Sequence, residues 1–159
     1  MISIDTNLLF YAYNSDSPPH RAALNWLSSL QSREDIVLSE FVLVEFYCLL
    51  RNPSVLKKPL SSPEAVEVIQ TYRKHPKWRL VGFPQESLEL HNSMWLKSEA
   101  TNFSFRKIYD VRTALTLLHH GVTEFATRNL KDFGGLGFQR VWDPTRPDTE
   151  TNYDETLSQ

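Results

Sequence analysis

The chain has 159 residues, 41% of them hydrophobic and 12% aromatic, which suffices for one domain with a self-supporting core. Its one cysteine, Cys48, excludes an internal disulfide and fits a reducing, cytoplasmic setting; no stretch is long and apolar enough to span a membrane, and no basic segment precedes an apolar run at the amino terminus as in a signal peptide. The net charge of −2 hides an asymmetry of −3 in residues 145–159 against +1 in residues 1–144, so any nucleic-acid contact must rest on local basic clusters.

Ile2-Ser3-Ile4 reads as a short buried strand with Asp5-Thr6-Asn7 at its carboxyl end. A carboxylate at a strand tip either serves the chemistry of an α/β sheet or caps the next helix, since Asp, Thr and Asn all favour the N-cap. A short helix over 8–13, a loop over 14–19 and an amphipathic helix from His20 to Leu30 follow, the last with Ala23, Leu24, Trp26, Leu27 and Leu30 near helical spacing. Ile36-Val37-Leu38 is a second strand. The helix from Phe41 to Leu50 is almost wholly apolar, and its one charge, Glu45, has Phe41, Val42, Cys48 and Leu49 on its side. A carboxylate there needs a cation or donors, or a place on the rim beside Arg51. Nothing nearby in sequence would activate Cys48 as a nucleophile.

Asn52-Pro53 stops that helix, and Ser62-Pro63-Glu64 opens another that runs to Arg73. Trp78 to Val81 suggests a third strand. A helix over 85–100 places Leu88, His91, Trp95 and Leu96 on one side, with His91 a core or rim residue. After a loop over 101–105, Asp110 stands where a helix begins and reads as its cap as well as a candidate functional acid, and that helix continues from Val111 to His120 with Gly121 closing it. Neighbouring His119 and His120 point in different directions on a helix and do not form a metal pair. Val122–Thr127 is a fourth strand, and Phe138–Trp142 a last edge strand. The tail, residues 145–159, is polar and expected to be disordered or partner-binding, which leaves residues 1–144 as the folded unit. Alternating strands and helices predict an α/β fold with a central, mostly parallel sheet flanked by helices on both faces. Strand tips then share one edge, where Asp5, Glu45, Asp110 and Asp132 can converge.

Such a cluster of acids repels itself unless a hard divalent cation such as Mg²⁺ or Mn²⁺ is present, and that chemistry suits hydrolysis of a phosphodiester. Arg106, Lys107, Arg112, Arg128 and Lys131, close to these acids in sequence, can hold flanking phosphates, or are ordinary surface charges. No GxxxxGK loop supports ATP chemistry, and no GxSxG elbow supports a serine hydrolase. An aspartyl-phosphate mechanism of the haloacid dehalogenase type needs an acid where Asn7 stands.

The segments ISIDTNLLFYAY, SEFVLVEFYCLLRNP, PLSSPEAVEVI, IYDVRTALTLLHHG and TRNLKDFGGLGFQRVWDP, in this order and spacing, resemble PIN-domain proteins, specifically VapC-type toxins of toxin–antitoxin pairs. The resemblance covers about residues 1–144. It implies a PIN-like three-layer fold and a Mg²⁺- or Mn²⁺-dependent endoribonuclease, with Asp5, Glu45 and Asp110 as catalytic, metal-holding acids. The fourth acid of many relatives falls at Asn129; Asp132 is the nearest carboxylate, so both are candidate metal ligands. Thr6, Asn7 and Thr127 are expected to orient Asp5. A homodimer and a cognate antitoxin are also implied, with Trp26, Leu27 and the helix over 41–50 as surface contacts. The alternative is a PIN-fold protein that binds RNA or a partner without cleaving it.

Overall fold

The computed structural model describes residues 1–146; the expected tail falls, from residue 147 onward, outside the described residues. Among these described residues, five strands form one sheet: β1 (Ile2–Ile4), β2 (Ile36–Ser39), β3 (Arg79–Val81), β4 (Glu124–Ala126) and β5 (Arg140–Trp142). Every pairing is parallel and the order is β3-β2-β1-β4-β5. The chain winds outward from β1 to β3, then crosses back to lay β4 on the other side of β1. The gap between the tips of β1 and β4 is therefore the topological switch point, the usual site of ligands in such sheets.

Among the described residues, seven helices cover the two faces of the sheet: α1 (Thr6–Tyr13), α2 (His20–Ser29), α3 (Glu40–Leu50), α4 (Ser62–Arg73), α5 (Ser87–Ser98), α6 (Lys107–His119) and α7 (Leu130–Phe133). The two-residue period of the strands divides the core. Ile2, Ile4, Ile36 and Leu38 point to the side of α1–α4, where Leu8, Leu9, Val42, Phe46 and Leu50 fill the layer. Val37, Val81, Phe125 and Val141 point the other way, against Met94, Val111, Ala114, Leu117 and Phe133 of α5–α7.

The helix ends follow local chemistry. Ser39 caps α3, its hydroxyl accepting from the Phe41 amide at 3.1 Å. Ser61 and Glu64 form a capping box at α4. At the end of α6, Gly121 adopts φ 81°, with bonds from the Gly121 amide to Leu118 O and from the Val122 amide to Leu117 O. This paired closure needs a left-handed residue.

Several sequence expectations are corrected. On α2, Ala23 and Leu27 face the core, with Leu30 just beyond the helix; Leu27 is only 5% exposed and offers no free surface contact, whereas Trp26 is half-buried and packs edge-on against Trp142. On α5 the core-facing residues are Leu90 and Met94, whereas Leu88, Trp95 and Leu96 are exposed. The sequence carries two apolar stripes there, and α6 covers the one that also meets the sheet. Helix α7 was not expected; at four residues it lacks a readable period.

Candidate active site

Asp5 leaves the tip of β1, its amide still paired with Ala126 O at 2.9 Å. Its backbone has N-cap geometry for α1, but its side chain makes no capping bond. Oδ2 instead accepts from Asn7 Nδ2 at 2.6 Å and from the Thr127 hydroxyl at 2.5 Å. Thr127 sits at the tip of β4, so this bond spans the switch point. The same hydroxyl accepts from Asn7 Nδ2 at 3.1 Å and from the Asn129 amide at 2.8 Å. Thr127 thus ties Asp5, Asn7 and the turn into α7 together, and it is fully buried.

Glu45 lies on the second turn of α3, exposed rather than enclosed by apolar neighbours. Its carboxylate accepts from the Thr6 hydroxyl at 2.8 Å and does not pair with Arg51, which donates to the Tyr47 hydroxyl at 2.8 Å. Asp110 is the fourth residue of α6, one turn inside, because the helix begins at Lys107. Its expected capping role therefore falls away. Asp132 on α7 accepts from Asn129 Nδ2 at 2.5 Å, so the two candidates for the fourth position act as one unit.

Asp5, Glu45, Asp110, Asn129 and Asp132 all line one crevice of about 660 Å³, together with Arg106, Arg112 and the aromatic side chains Phe41, Phe105, Tyr109 and Phe133. Thr6, Asn7 and Thr127 stand behind the carboxylates as their hydrogen-bond partners. Lys107, Arg128 and Lys131 do not line the crevice. Arg128 is drawn to buried Asp143 at 3.3 Å, over the ring of Tyr11. Arg112 stacks over Phe41 at 4.2 Å, and its buried Nε has no hydrogen-bond partner among the described residues. The crevice aromatics escaped the sequence reading, although the alternation of Phe105, Arg106, Lys107, Tyr109 and Arg112 carried the signal.

Burial, then Glu45 and Asp110, raise the Asp5 carboxyl to about 7, against the opposing Thr127 and Thr6 hydrogen bonds. Burial, then Asp132 and Glu45, raise Asp110 to about 6, while Lys107 opposes. Burial lowers Arg112, with Tyr109 and Glu45 opposing. Among the described residues, no lysine or arginine forms an ion pair with any of the four acids. Nor do three Asp, Glu, His or Cys side chains close on one point as a ready-made cage. An all-oxygen set of separated acids without ion-pair partners fits a hard cation that keeps part of its water shell.

A PIN-domain family model matches residues 2–135. The chain belongs to the PIN-domain family. Within that family it stands with the VapC-type proteins, being 47% identical over 148 residues to Ribonuclease VapC24 of Mycobacterium tuberculosis, which covers 93% of this chain and 99% of that protein. Two solved PIN-domain structures are similar in fold. One is VapC20 of Mycobacterium tuberculosis, a sarcin–ricin loop cleaving toxin, with a TM-score of 0.64 at 18% identity over 87% of this chain and 96% of that one. The other is VapBC2 of Rickettsia felis bound to a DNA fragment from its promoter, with a TM-score of 0.62 at 19% identity over 90% and 100%. Among the described residues of this PIN-domain chain, no helix is long and apolar enough to cross a membrane.

Proposed function

We propose that this protein is a divalent-metal-dependent endoribonuclease, the toxin of a toxin–antitoxin pair. The observation that carries the reading is the convergence of Asp5, Glu45, Asp110 and Asp132 on one crevice at the switch point, with no ion pair to a lysine or arginine at any of them among the described residues. The VapC24 relative is a ribonuclease by name, and VapC20 is described as a toxin. The antitoxin partner rests on the VapBC2 pairing.

Asp5, Glu45 and Asp110, with Asn129 or Asp132 at the fourth position, would hold Mg²⁺ or Mn²⁺. The ion would lower the pKa of a water and offset charge on the phosphoryl oxygens when bound. The chain's own contribution is preorganisation. Thr127 and Asn7 fix the Asp5 carboxylate and Thr6 fixes that of Glu45, and the Thr127 bond favours the ionised form of Asp5 that a cation needs. Arg112, and Arg106 beside it, would meet the phosphates flanking the scissile bond, a polyanion the acids alone would repel.

The test is RNA cleavage by the purified protein with Mg²⁺ or Mn²⁺, with EDTA, and with Asp110→Asn. Cleavage that needs the metal and disappears in the variant supports the reading. Wild type and variant equally inactive on a broad RNA pool would favour the alternative, a PIN-fold module that binds RNA or a partner without cutting.

A further inference from the structure

We propose that Phe105 and Tyr109 form a base-stacking lip on the α6 side of the crevice, which takes two unstacked nucleotides of a single-stranded RNA next to the scissile phosphate. The inference rests on the endoribonuclease reading and adds to it the contacts that select the strand's conformation.

Both rings line the acid crevice yet turn most of their surface to solvent: Phe105 is 79% and Tyr109 60% exposed. Neither belongs to the buried core, so core packing does not account for large aromatic side chains this exposed beside a charged site. Phe105 lies in the turn that leads into α6 and Tyr109 in the first turn of the helix, joined by bonds from the Lys107 amide to Ser104 O and from the Tyr109 amide to Arg106 O. Tyr109 immediately precedes Asp110, so the lip adjoins the carboxylates directly.

Each ring has a guanidinium beside it. Arg106 Cζ lies 5.5 Å from the Phe105 ring centre, and Arg112 Cζ lies 5.4 Å from that of Tyr109 and 4.2 Å from that of Phe41. Arg106 and Arg112 are the basic residues that line the crevice. Alternating rings and cations match a strand whose bases seek a π-face and whose phosphates seek positive charge. A duplex keeps its base faces stacked inside and cannot use the rings. An apolar peptide helix would need a continuous aliphatic groove, and here acids interrupt the apolar surface.

The probe is a pool of fluorescein-labelled 12-nucleotide RNA strands of random sequence, single or annealed to complements, titrated in Mg²⁺ with protein carrying Asp110→Asn and read by anisotropy. Phe105→Ala and Tyr109→Ala should each weaken single-strand binding about tenfold. Phe105→Tyr and Tyr109→Phe should restore it. Trp95→Ala, which removes an exposed aromatic outside the crevice, should change nothing. In the cleaving protein the alanine variants should raise KM rather than lower kcat.

Wild-type affinity in the double alanine variant would overturn the lip and leave the rings to a protein partner. An equal loss for single strand and duplex would overturn it as well. Cleavage with an unchanged KM in the variants sinks the lip and keeps the nuclease. Ring-dependent binding without cleavage by the wild type keeps the lip and sinks the nuclease. Neither binding nor cleavage overturns both.

Discussion

Asp5 takes a carboxylate into a buried place and surrounds it with hydroxyl and amide donors rather than with a counter-ion. Such a group is held in position at the expense of the protein's own stability, as expected of a residue kept for binding. Replacing it by Asn should abolish metal-dependent cleavage and yet raise the melting temperature of the metal-free protein near pH 7 by a few degrees; a lower melting temperature would show that Asp5 is chiefly structural. Glu45→Gln should also remove cleavage, with stability changed by no more than about 0.5 kcal/mol because Glu45 is exposed. Thr127 acts through Asp5. Thr127→Val keeps the shape but leaves Asp5 without its donor across the switch point, and should weaken Mg²⁺ binding by about ten- to a hundredfold in calorimetry. Thr127→Ser should restore it, an outcome that simple loss of packing would not give. Asn129→Asp should preserve or strengthen the affinity, since a carboxylate there adds a hard oxygen ligand; a large loss would show that the Asn129 contact with Asp132 sets the geometry.

At the level of elements, legibility followed the strength of local patterns. The order of strands and helices was readable because Ile36-Val37-Leu38 and Phe125-Ala126 are apolar runs bounded by polar turns, and because Pro63 and Gly121 mark helix ends chemically. The meeting of Asp5 with the β4–α7 turn followed from parallel strands sharing one edge. Side-chain direction was less readable. Helix α5 carries apolar residues on two sides, so only tertiary packing decides that Leu90 and Met94 go inward. Asp110 was misread as a cap because the polar residues Arg106 and Lys107 before it gave no sign that the helix starts earlier. The ion pair of Arg128 with Asp143 was not legible because Asp143 lies beyond β5 in the chain. The most exacting element is the end of α6. An added Cβ at Gly121 would sit 2.9 Å from Met1 Cε, on a backbone with φ 81°. Gly121→Ala should therefore cost about 1–2 kcal/mol, a drop of several degrees in melting temperature, with the metal site left intact. An unchanged melting temperature would mean that the α6–β4 turn relaxes without loss.

For the whole molecule, the raised carboxyls couple proton, metal and folding. An Asp raised from 3.8 to about 7 in the fold is favoured there in its neutral form, as is Asp110 at about 6. The native state then binds more protons than the unfolded chain between about pH 4 and 7, so stability falls as the pH rises through that window and levels off above it. A divalent cation reverses the trend because it requires the ionised carboxylates. Its affinity should rise through the same window, and the stabilisation it gives grows with its concentration over Kd. Thermal unfolding from pH 4 to 8 should therefore show a melting temperature in EDTA that declines towards pH 7, and a curve in Mg²⁺ that separates upward from it above about pH 6. Asp5→Asn should flatten the first curve and collapse the gap between the two. Parallel curves with and without Mg²⁺ at every pH would mean that the carboxylates of the crevice do not take up the ion. The acids would then have to be offset by a bound partner, and the same scan repeated with a candidate antitoxin would report that as a separation of the curves without metal.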